Sequence, residues 1–225
     1  MLIVRRWTNR VALGLLLMAA LELPARAAKY TLAATGTVSI NSSGAAAIPV
    51  GSPWSFELTY DTAAPDLDFE ALGSADPTYG RFTNTASPPA LTFFHYQAGS
   101  YEVTLDDPAD FGEFSDMLIT FQTVHAIDIN ITSPALFPPL AGGTVGFHAD
   151  FNAFSAVPVL TSDRLPSNTA ITAASFDQSS VTLLPPTGFI TGSEITSLSI
   201  TAVPEPGTIG LAVMGLIVVL RRCRS

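Results

Sequence analysis

The stretch Trp54-Ser-Phe-Glu-Leu-Thr-Tyr-Asp61 decides the fold of this chain. Large apolar side chains occupy every second position from Trp54 to Tyr60, and polar side chains occupy the positions between them. Because successive side chains of a strand point to opposite faces, this alternation predicts a strand with one buried and one solvated face. Pro53 stands directly before the stretch, at a position where a strand can begin.

Weaker signals of the same kind extend from this strand in both directions. The period-two pattern begins at Lys29 and is regular over residues 37–40, before a turn at residues 41–44. Residues 62–89 are rich in Pro, Asp, Gly, Thr and Ser and predict a long loop, with one short strand near residues 80–82. Further strands are predicted at residues 90–96, 101–105, 116–123, 126–132, 144–151, 181–184 and 195–203.

Roughly nine or ten short strands with Gly, Pro and Ser turns, and no amphipathic helix between them, predict an all-β fold. The architecture that fits this pattern is an antiparallel β-sandwich, jelly-roll-like in type. We assign it to residues 28–202, a length that suits one domain with a sizeable core. The remaining residues, 1–27 and 203–225, have a different composition and are predicted to direct the chain to its destination.

Residues 1–27 have the three parts of a secretory signal peptide. Three arginines within residues 5–10 form a positive start, and residues 11–21 form an apolar segment. Ala25 and Ala27 then complete an A-x-A cleavage site. We therefore expect the secretion translocon to be a partner and the mature chain to begin at residue 28.

Basic residues are scarce in the predicted domain. Between residues 28 and 202 the chain has three, Lys29, Arg81 and Arg164, against 17 Asp and Glu, so its formal charge is near −14. Nucleic-acid binding needs a basic surface that displaces counterions, and this composition excludes it. The same charge disfavours docking on anionic lipid and leaves divalent cations as partners to consider. The single cysteine, Cys223, lies outside the domain, so no disulfide stabilises the domain.

Residues 203–225 combine a proline-rich motif, a short apolar segment and a basic end. Pro204, Glu205 and Pro206 predict a stiff, exposed spacer, because proline lacks the N–H that a strand or helix interior needs. Residues 209–220 are apolar or glycine, which predicts a single transmembrane helix at the short end of the usual range. The arginines that follow would orient this helix with its end in the cytoplasm: Arg221, Arg222 and Arg224.

This order of Pro-Glu-Pro motif, apolar segment and arginine-rich end resembles the PEP-CTERM protein-sorting domain. The resemblance implies an exported protein of a Gram-negative bacterium. It also implies that an exosortase, a membrane-embedded transpeptidase-like protease, recognises the motif, removes the tail and passes the protein towards the cell surface or the extracellular polysaccharide. Residues 54–66 and 190–206 resemble, more loosely, the β-rich ectodomains common in that family, which mostly have no assigned activity.

No motif in the predicted domain indicates catalysis or a cofactor. Two acidic clusters could ligate Ca²⁺ or pair carboxylates for glycoside hydrolysis, but solvated loops are the expected reading. They are Asp66, Asp68 and Glu70, and Asp106, Asp107 and Asp110 with Glu113 and Asp116. His95, His125 and His148 lack the close spacing of a metal motif, so we expect no metal ligand among them and place His148 on the solvent face of a strand.

Two readings besides sorting and release stay open at this point. A permanently tail-anchored envelope protein would have the same C-terminal segment without its motif being read. A secreted lectin-like or Ca²⁺-binding domain would use the acidic loops, or an aromatic face that stacks on sugars. Alternating aromatic residues are more often core residues, as we expect here: Trp54, Tyr60, Phe93, Phe94 and Tyr96.

Overall fold

The computed structural model describes residues 29–67, 78–122, 124–133, 136, 146–154, 159–162, 164–185, 187–192 and 194–204. These residues contain twelve strands in two antiparallel sheets, so the predicted all-β, antiparallel fold is confirmed. The strands are β1 (Lys29–Thr37), β2 (Ile40–Asn41), β3 (Pro53–Asp61), β4 (Tyr79–Thr83), β5 (Leu91–Ala98), β6 (Tyr101–Leu105), β7 (Asp116–Phe121), β8 (His125–Thr132), β9 (Gly146–Ala153), β10 (Gln178–Leu184), β11 (Ile190–Gly192) and β12 (Glu194–Ala202).

The five-stranded sheet has the order β12-β1-β3-β5-β6, which puts β3 at its centre. The predicted alternation along β3 is confirmed, since Trp54, Phe56, Leu58 and Tyr60 are all buried. Ser55, Glu57 and Thr59 lie on the opposite face, and each pairs with at least one polar residue of β1 or β5. The central strand therefore has one face in the core and one face towards solvent.

The apolar faces of the two sheets meet in one core. The ring of Phe147, from the seven-stranded sheet, lies 5.2 Å from that of Phe56 and 4.8 Å from that of Phe94, both of the five-stranded sheet. Complete burial of a phenylalanine side chain stabilises a fold by roughly 1.5–3 kcal/mol. A domain without disulfides depends on such contacts, and here they join the sheets directly.

The seven-stranded sheet has the order β2-β11-β10-β9-β8-β7-β4. Within the described residues, β7 to β11 pair in sequence order, which makes this part of the sheet a meander. A jelly roll instead interlocks two Greek keys, so the observed strand order differs from that expectation.

Most strand boundaries lie within a few residues of their predictions, and two predictions need correction. Residues 37–40 do not form one strand. Strand β1 ends at Thr37, a break follows at residues 38 and 39, and the two-residue β2 begins at Ile40. The three-residue β11 is absent from the prediction, because three residues are too few to show a period. The short strand predicted near residues 80–82 is confirmed as β4.

The described part of the chain contains no helix with the length and apolar character needed to cross a membrane. The predicted signal peptide and the apolar segment of residues 209–220 both lie outside the described residues.

Candidate functional site

The outward face of the seven-stranded sheet carries polar side chains that bond to one another across four strands. Antiparallel register puts Asn130 of β8 opposite both Asp116 of β7 and His148 of β9. On the same face, Asp128 of β8 stands directly opposite Asp150 of β9. Residues in such positions have Cβ atoms roughly 4.5–5.5 Å apart, so their side chains can touch. With a diagonal neighbour from β4 they form what we call the polar cluster: Arg81, Asp116, Asp128, Asn130, His148 and Asp150.

One end of the polar cluster is a neutral ion pair. The carboxylate of Asp116 is buried, and its Oδ2 lies 2.9 Å from Nη2 and 3.0 Å from Nε of Arg81. Its Oδ1 accepts a hydrogen bond of 3.0 Å from Nδ2 of Asn130. A buried carboxylate is tolerated when it is both paired and hydrogen-bonded, and Asp116 is both.

Asn130 determines which nitrogen of His148 faces the remaining carboxyl groups. Because the amide NH₂ of Asn130 donates to Asp116, its Oδ1 is the atom left to accept, and it lies 2.7 Å from Nδ1 of His148. Nδ1 therefore carries a hydrogen. The other ring nitrogen, Nε2, lies 2.8 Å from Oδ2 of Asp150.

Nε2 of His148 converges with two carboxyl groups. One donor atom each from Asp128, His148 and Asp150 lie within 4.8 Å of one another. The hydroxyl of Ser180, on the next strand, donates to Oδ2 of Asp150 at 3.4 Å. The side chains of His148 and Asp150 are 34% and 28% exposed, so a small solute can reach this point from solvent.

The two carboxyl groups differ sharply in their affinity for protons. Burial, together with the hydrogen bond and charge of Asp150, raises the pKa of Asp128 to about 7. The hydrogen bond to His148 lowers the pKa of Asp150 to about 2, and the same bond raises the pKa of His148. Near neutral pH, Asp150 is thus an anion, and Asp128 is partly protonated.

These pKa shifts predict a stability that falls as pH rises from 5 to 8 in metal-free buffer. Between pH 4 and 7 the folded chain holds a proton on Asp128 that the unfolded chain has lost, so each step up in pH favours unfolding. The raised pKa of His148 acts in the same direction above pH 6.5, whereas the lowered pKa of Asp150 matters only below pH 4. Asp128→Asn keeps a hydrogen-bond donor towards Asp150 and is expected to raise the free energy of unfolding at pH 8 by roughly 1–2 kcal/mol, after allowance for solvent screening of a half-exposed group.

Urea denaturation at pH 5, 6, 7 and 8 in the presence of a chelator measures this effect. Asp106→Asn is the matched control, because it makes the same substitution at an exposed residue that directly follows β6 in the five-stranded sheet. The control is expected to follow the wild-type profile. A wild-type slope in Asp128→Asn would show that Asp128 is not the group responsible.

A cavity of about 730 Å³ lies near one end of the five-stranded sheet. Its lining is mixed: the half-buried ring of Tyr30 and the apolar Leu165 adjoin the side chains of Arg164 and Asn168. Tyr30 stacks on Tyr60, with ring centroids 6.2 Å apart, so one wall is held by the core. Its volume lies within the range of roughly 300–1,000 Å³ that is typical of small-molecule pockets.

Both ends of the described domain leave it at the same place. Tyr30 pairs with Ala202, and the N–H of Val203 donates to the carbonyl oxygen of Lys29 at 2.8 Å. Pro204 follows and is exposed. It cannot extend the ladder, since it has no N–H to donate.

Residues 202–225, which begin at this exit point, match the sequence model of a family described as the PEP-CTERM protein-sorting motif. The chain carries a PEP-CTERM sorting motif. It indicates an exported protein that is transiently anchored in a membrane at its C-terminus and sorted by an exosortase, itself a membrane protein. No curated protein and no solved structure matches the chain.

The PEP-CTERM motif begins inside the described residues and continues beyond them. Pro204 is its one proline with a described position, exposed directly after the last backbone hydrogen bond of the sheet. The other predicted sorting and cleavage residues lie outside the described part of the chain: Ala25, Ala27, Glu205, Pro206, Arg221, Arg222 and Arg224.

Two members of the predicted acidic clusters, Asp66 and Asp107, bond to the backbone of their own loops or of a neighbouring strand. Asp66 accepts a hydrogen bond from the backbone N–H of Arg81 at 2.9 Å, whereas Asp68 and Glu70 lie outside the described residues. Asp107 accepts from the N–H of Ala109 and caps the 3₁₀ helix Pro108–Asp110. A Ca²⁺ site in these loops stays a prediction.

The other predicted candidates occupy structural positions. His125 is buried and its Nδ1 accepts the N–H of Leu160 at 3.0 Å, while His95 lies on the outer face of the five-stranded sheet, 3.8 Å from Glu102. Of the five aromatic residues considered as a sugar face, four are in the core and one, Phe93, is half-buried: the four are Trp54, Tyr60, Phe94 and Tyr96.

Sequence reasoning missed the polar cluster as a unit. His148 is on the outward face as predicted, but its partners Asp128, Asn130 and Asp150 were not connected to it. The available signal was that β8 and β9 each carry three polar residues spaced two apart and alternating with buried ones. That spacing predicts a shared face for each strand alone, and only the register between strands joins them.

Proposed function

We propose that this protein is a non-enzymatic exported β-sandwich, released by an exosortase to the cell surface or the extracellular polysaccharide. The observation that carries this proposal is the position of the sorting motif. The motif begins where the last strand ends, at an exposed proline.

This position supports processing of a folded domain. Val203 makes the last backbone hydrogen bond to β1, so a cut beyond Pro204 removes no strand. Lys29 leaves at the same place, so the predicted signal peptide and the predicted anchor would both lie on one side of the domain. A precursor held this way presents Pro204, Glu205 and Pro206 next to the membrane, where a membrane protease works.

The charge of the domain favours release over retention. With three basic residues against 17 acidic ones, the released chain has little attraction for anionic lipid headgroups. A strong net charge of one sign also keeps a protein soluble and resists self-association. A permanently tail-anchored protein is the competing proposal.

An extracellular polysaccharide is the partner that we propose for the released domain. The cavity beside Tyr30 has room for a sugar ring, an aromatic wall for it to pack against and polar groups for its hydroxyls. Arg164, one of the three basic residues of the domain, also lines the cavity and suits a carboxylated sugar.

Intact-mass analysis of the chain, from cells with and without the exosortase, tests the proposal. We expect residues 221–225 to be missing from the protein in exosortase-containing cells and retained without the enzyme. Pro204→Ala combined with Pro206→Ala is expected to leave a full-length chain in the inner membrane, while Pro53→Ala, an exposed proline at the start of β3, is processed normally. The released chain is expected to co-fractionate with the cells' polysaccharide.

Retention of residues 221–225 in both strains would overturn release and leave the tail-anchored alternative. A processed chain that does not co-fractionate with the polysaccharide would overturn only the proposal that the polysaccharide is its partner.

A further inference from the structure

We propose that Asp128, His148 and Asp150 form a binding site for a divalent transition-metal ion of the Zn²⁺ type. The site lies on the outward face of the seven-stranded sheet and is independent of the sorting motif. Its ligands would be Nε2 of the imidazole and one oxygen of each carboxyl group.

Convergence of the donor atoms is the first support. Their mutual distances are all within 4.8 Å, and the shortest one named above, from Nε2 of His148 to Oδ2 of Asp150, is 2.8 Å. Ligands about 2.0–2.2 Å from one Zn²⁺ stand roughly 3–4 Å from each other, so rotations of side chains are enough to close the set. The strands themselves need not move, because register already places Asp128 opposite Asp150.

The orientation of the histidine is the second support. A metal-binding imidazole generally donates its other N–H to a neighbouring oxygen, which fixes the ring and leaves one nitrogen for the metal. Here Nδ1 is held by Oδ1 of Asn130 at 2.7 Å, and Asn130 is held in turn by Asp116. Arg81 anchors Asp116 through two contacts. Four strands therefore aim Nε2 at the carboxyl groups.

The balance of charge is the third support. Within the polar cluster, Arg81 compensates Asp116, and this leaves one imidazole beside two carboxyl groups. Like charges placed directly opposite each other on neighbouring strands are destabilising. Once both carboxyl groups are ionised, Asp128 and Asp150 meet this condition, although Ser, Thr and Asn fill comparable positions around them. A bound dication would turn this opposed pair into two ligands.

The donor set selects the class of ion. Ca²⁺ takes six to eight oxygen ligands as a rule, whereas imidazole suits Zn²⁺, Cu²⁺, Fe²⁺ and Ni²⁺. Of the neighbouring side-chain oxygens, Oδ1 of Asn130 is already committed to the histidine, and the hydroxyl of Ser180 donates to Asp150. One nitrogen and two carboxylate oxygens fit a tetrahedral ion that keeps water in its fourth position.

The site is tested by titrating Zn²⁺ into the full chain, which is purified in detergent and stripped of metal with a chelator. A Zn²⁺-binding dye that competes for the ion reports the affinity. We expect one Zn²⁺ per chain with a Kd of about 10 μM or tighter, and Ca²⁺ binding at least about 100-fold weaker. His148→Gln and Asp150→Asn are expected to weaken Zn²⁺ binding by about 100-fold or more. Asn130→Ala, which removes a positioning residue, should cost roughly 10–100-fold.

His95→Gln is the matched control. His95 also faces outward from a strand and has a carboxylate, that of Glu102, 3.8 Å away, but it is not part of the converged group. Its loss should leave Zn²⁺ affinity unchanged. In case His148→Gln fails to fold, ¹⁵N spectra of the wild-type histidines give a second readout, in which Zn²⁺ must shift Nε2 of His148 and spare His95. Absence of stoichiometric binding, equal affinity for Ca²⁺, or full affinity in both ligand variants would overturn the proposal.

Discussion

Phe56→Ala is expected to lower the free energy of unfolding by about 3–5 kcal/mol, the range for removing a large buried aromatic side chain. Phe56 is 1% exposed and stands at the centre of the sheet that β3 organises. Its ring lies 5.2 Å from that of Phe147 and 6.4 Å from that of Phe151, both on the facing sheet. It also neighbours Trp54 and Phe94 within its own sheet. Truncation leaves a cavity whose walls belong to both sheets, so neither sheet can close it alone.

Urea denaturation of the full chain, followed by circular dichroism, measures the loss. Phe114→Ala is the matched control, because Phe114 is 68% exposed and buries little area. We expect the control to stay within about 0.5 kcal/mol of wild type. Equal losses in the two variants would mean that the aromatic contacts between the sheets do not stabilise the fold.

The strands could be predicted because the signal for each one lies in a short, contiguous stretch of sequence. Alternation along β3 assigns each residue to a face without reference to the rest of the chain, and burial of Trp54 and Phe56 follows that assignment. The same holds for β9, where Phe147, Ala149 and Phe151 alternate. Strand order depends on pairings between distant segments, such as β1 with β12, and local alternation carries no information about them.

The sorting motif and the polar cluster differ in how far the sequence predicts them, and the cause is again whether their residues are contiguous in the chain. The sorting motif is contiguous in sequence, so it could be identified without any structure. The polar cluster brings together Arg81, Asp116, Asn130 and His148 from four strands. A slip of one residue between β8 and β9 would turn Asp128 and Asp150 to opposite faces, so the cluster exists only in the observed register.

Gly192→Ala is expected to destabilise the domain by about 3 kcal/mol or more, through a steric clash between the sheets. A Cβ added to Gly192 would stand 2.7 Å from Cδ1 and 2.8 Å from Cε2 of Trp54, with Nε1 closer still. The indole is 2% exposed and stacked on Phe56, so it has no free direction in which to retreat. Among the described residues its Nε1–H has no hydrogen-bond partner, which fits a ring pressed against a bare backbone. The site thus needs glycine for close approach.

A double-mutant cycle with Trp54→Leu separates this clash from any other effect of the substitution. Trp54→Leu alone is destabilising, because it removes a large buried ring, but it opens space opposite Gly192. Adding Gly192→Ala to that background should then cost less than about 1 kcal/mol, which corresponds to a coupling of roughly 2 kcal/mol between the two positions. Thermal and urea denaturation of the four chains supply the values. If Gly192→Ala lowers the free energy of unfolding equally in the Trp54→Leu and wild-type backgrounds, contact with Trp54 is not the reason that this position needs glycine.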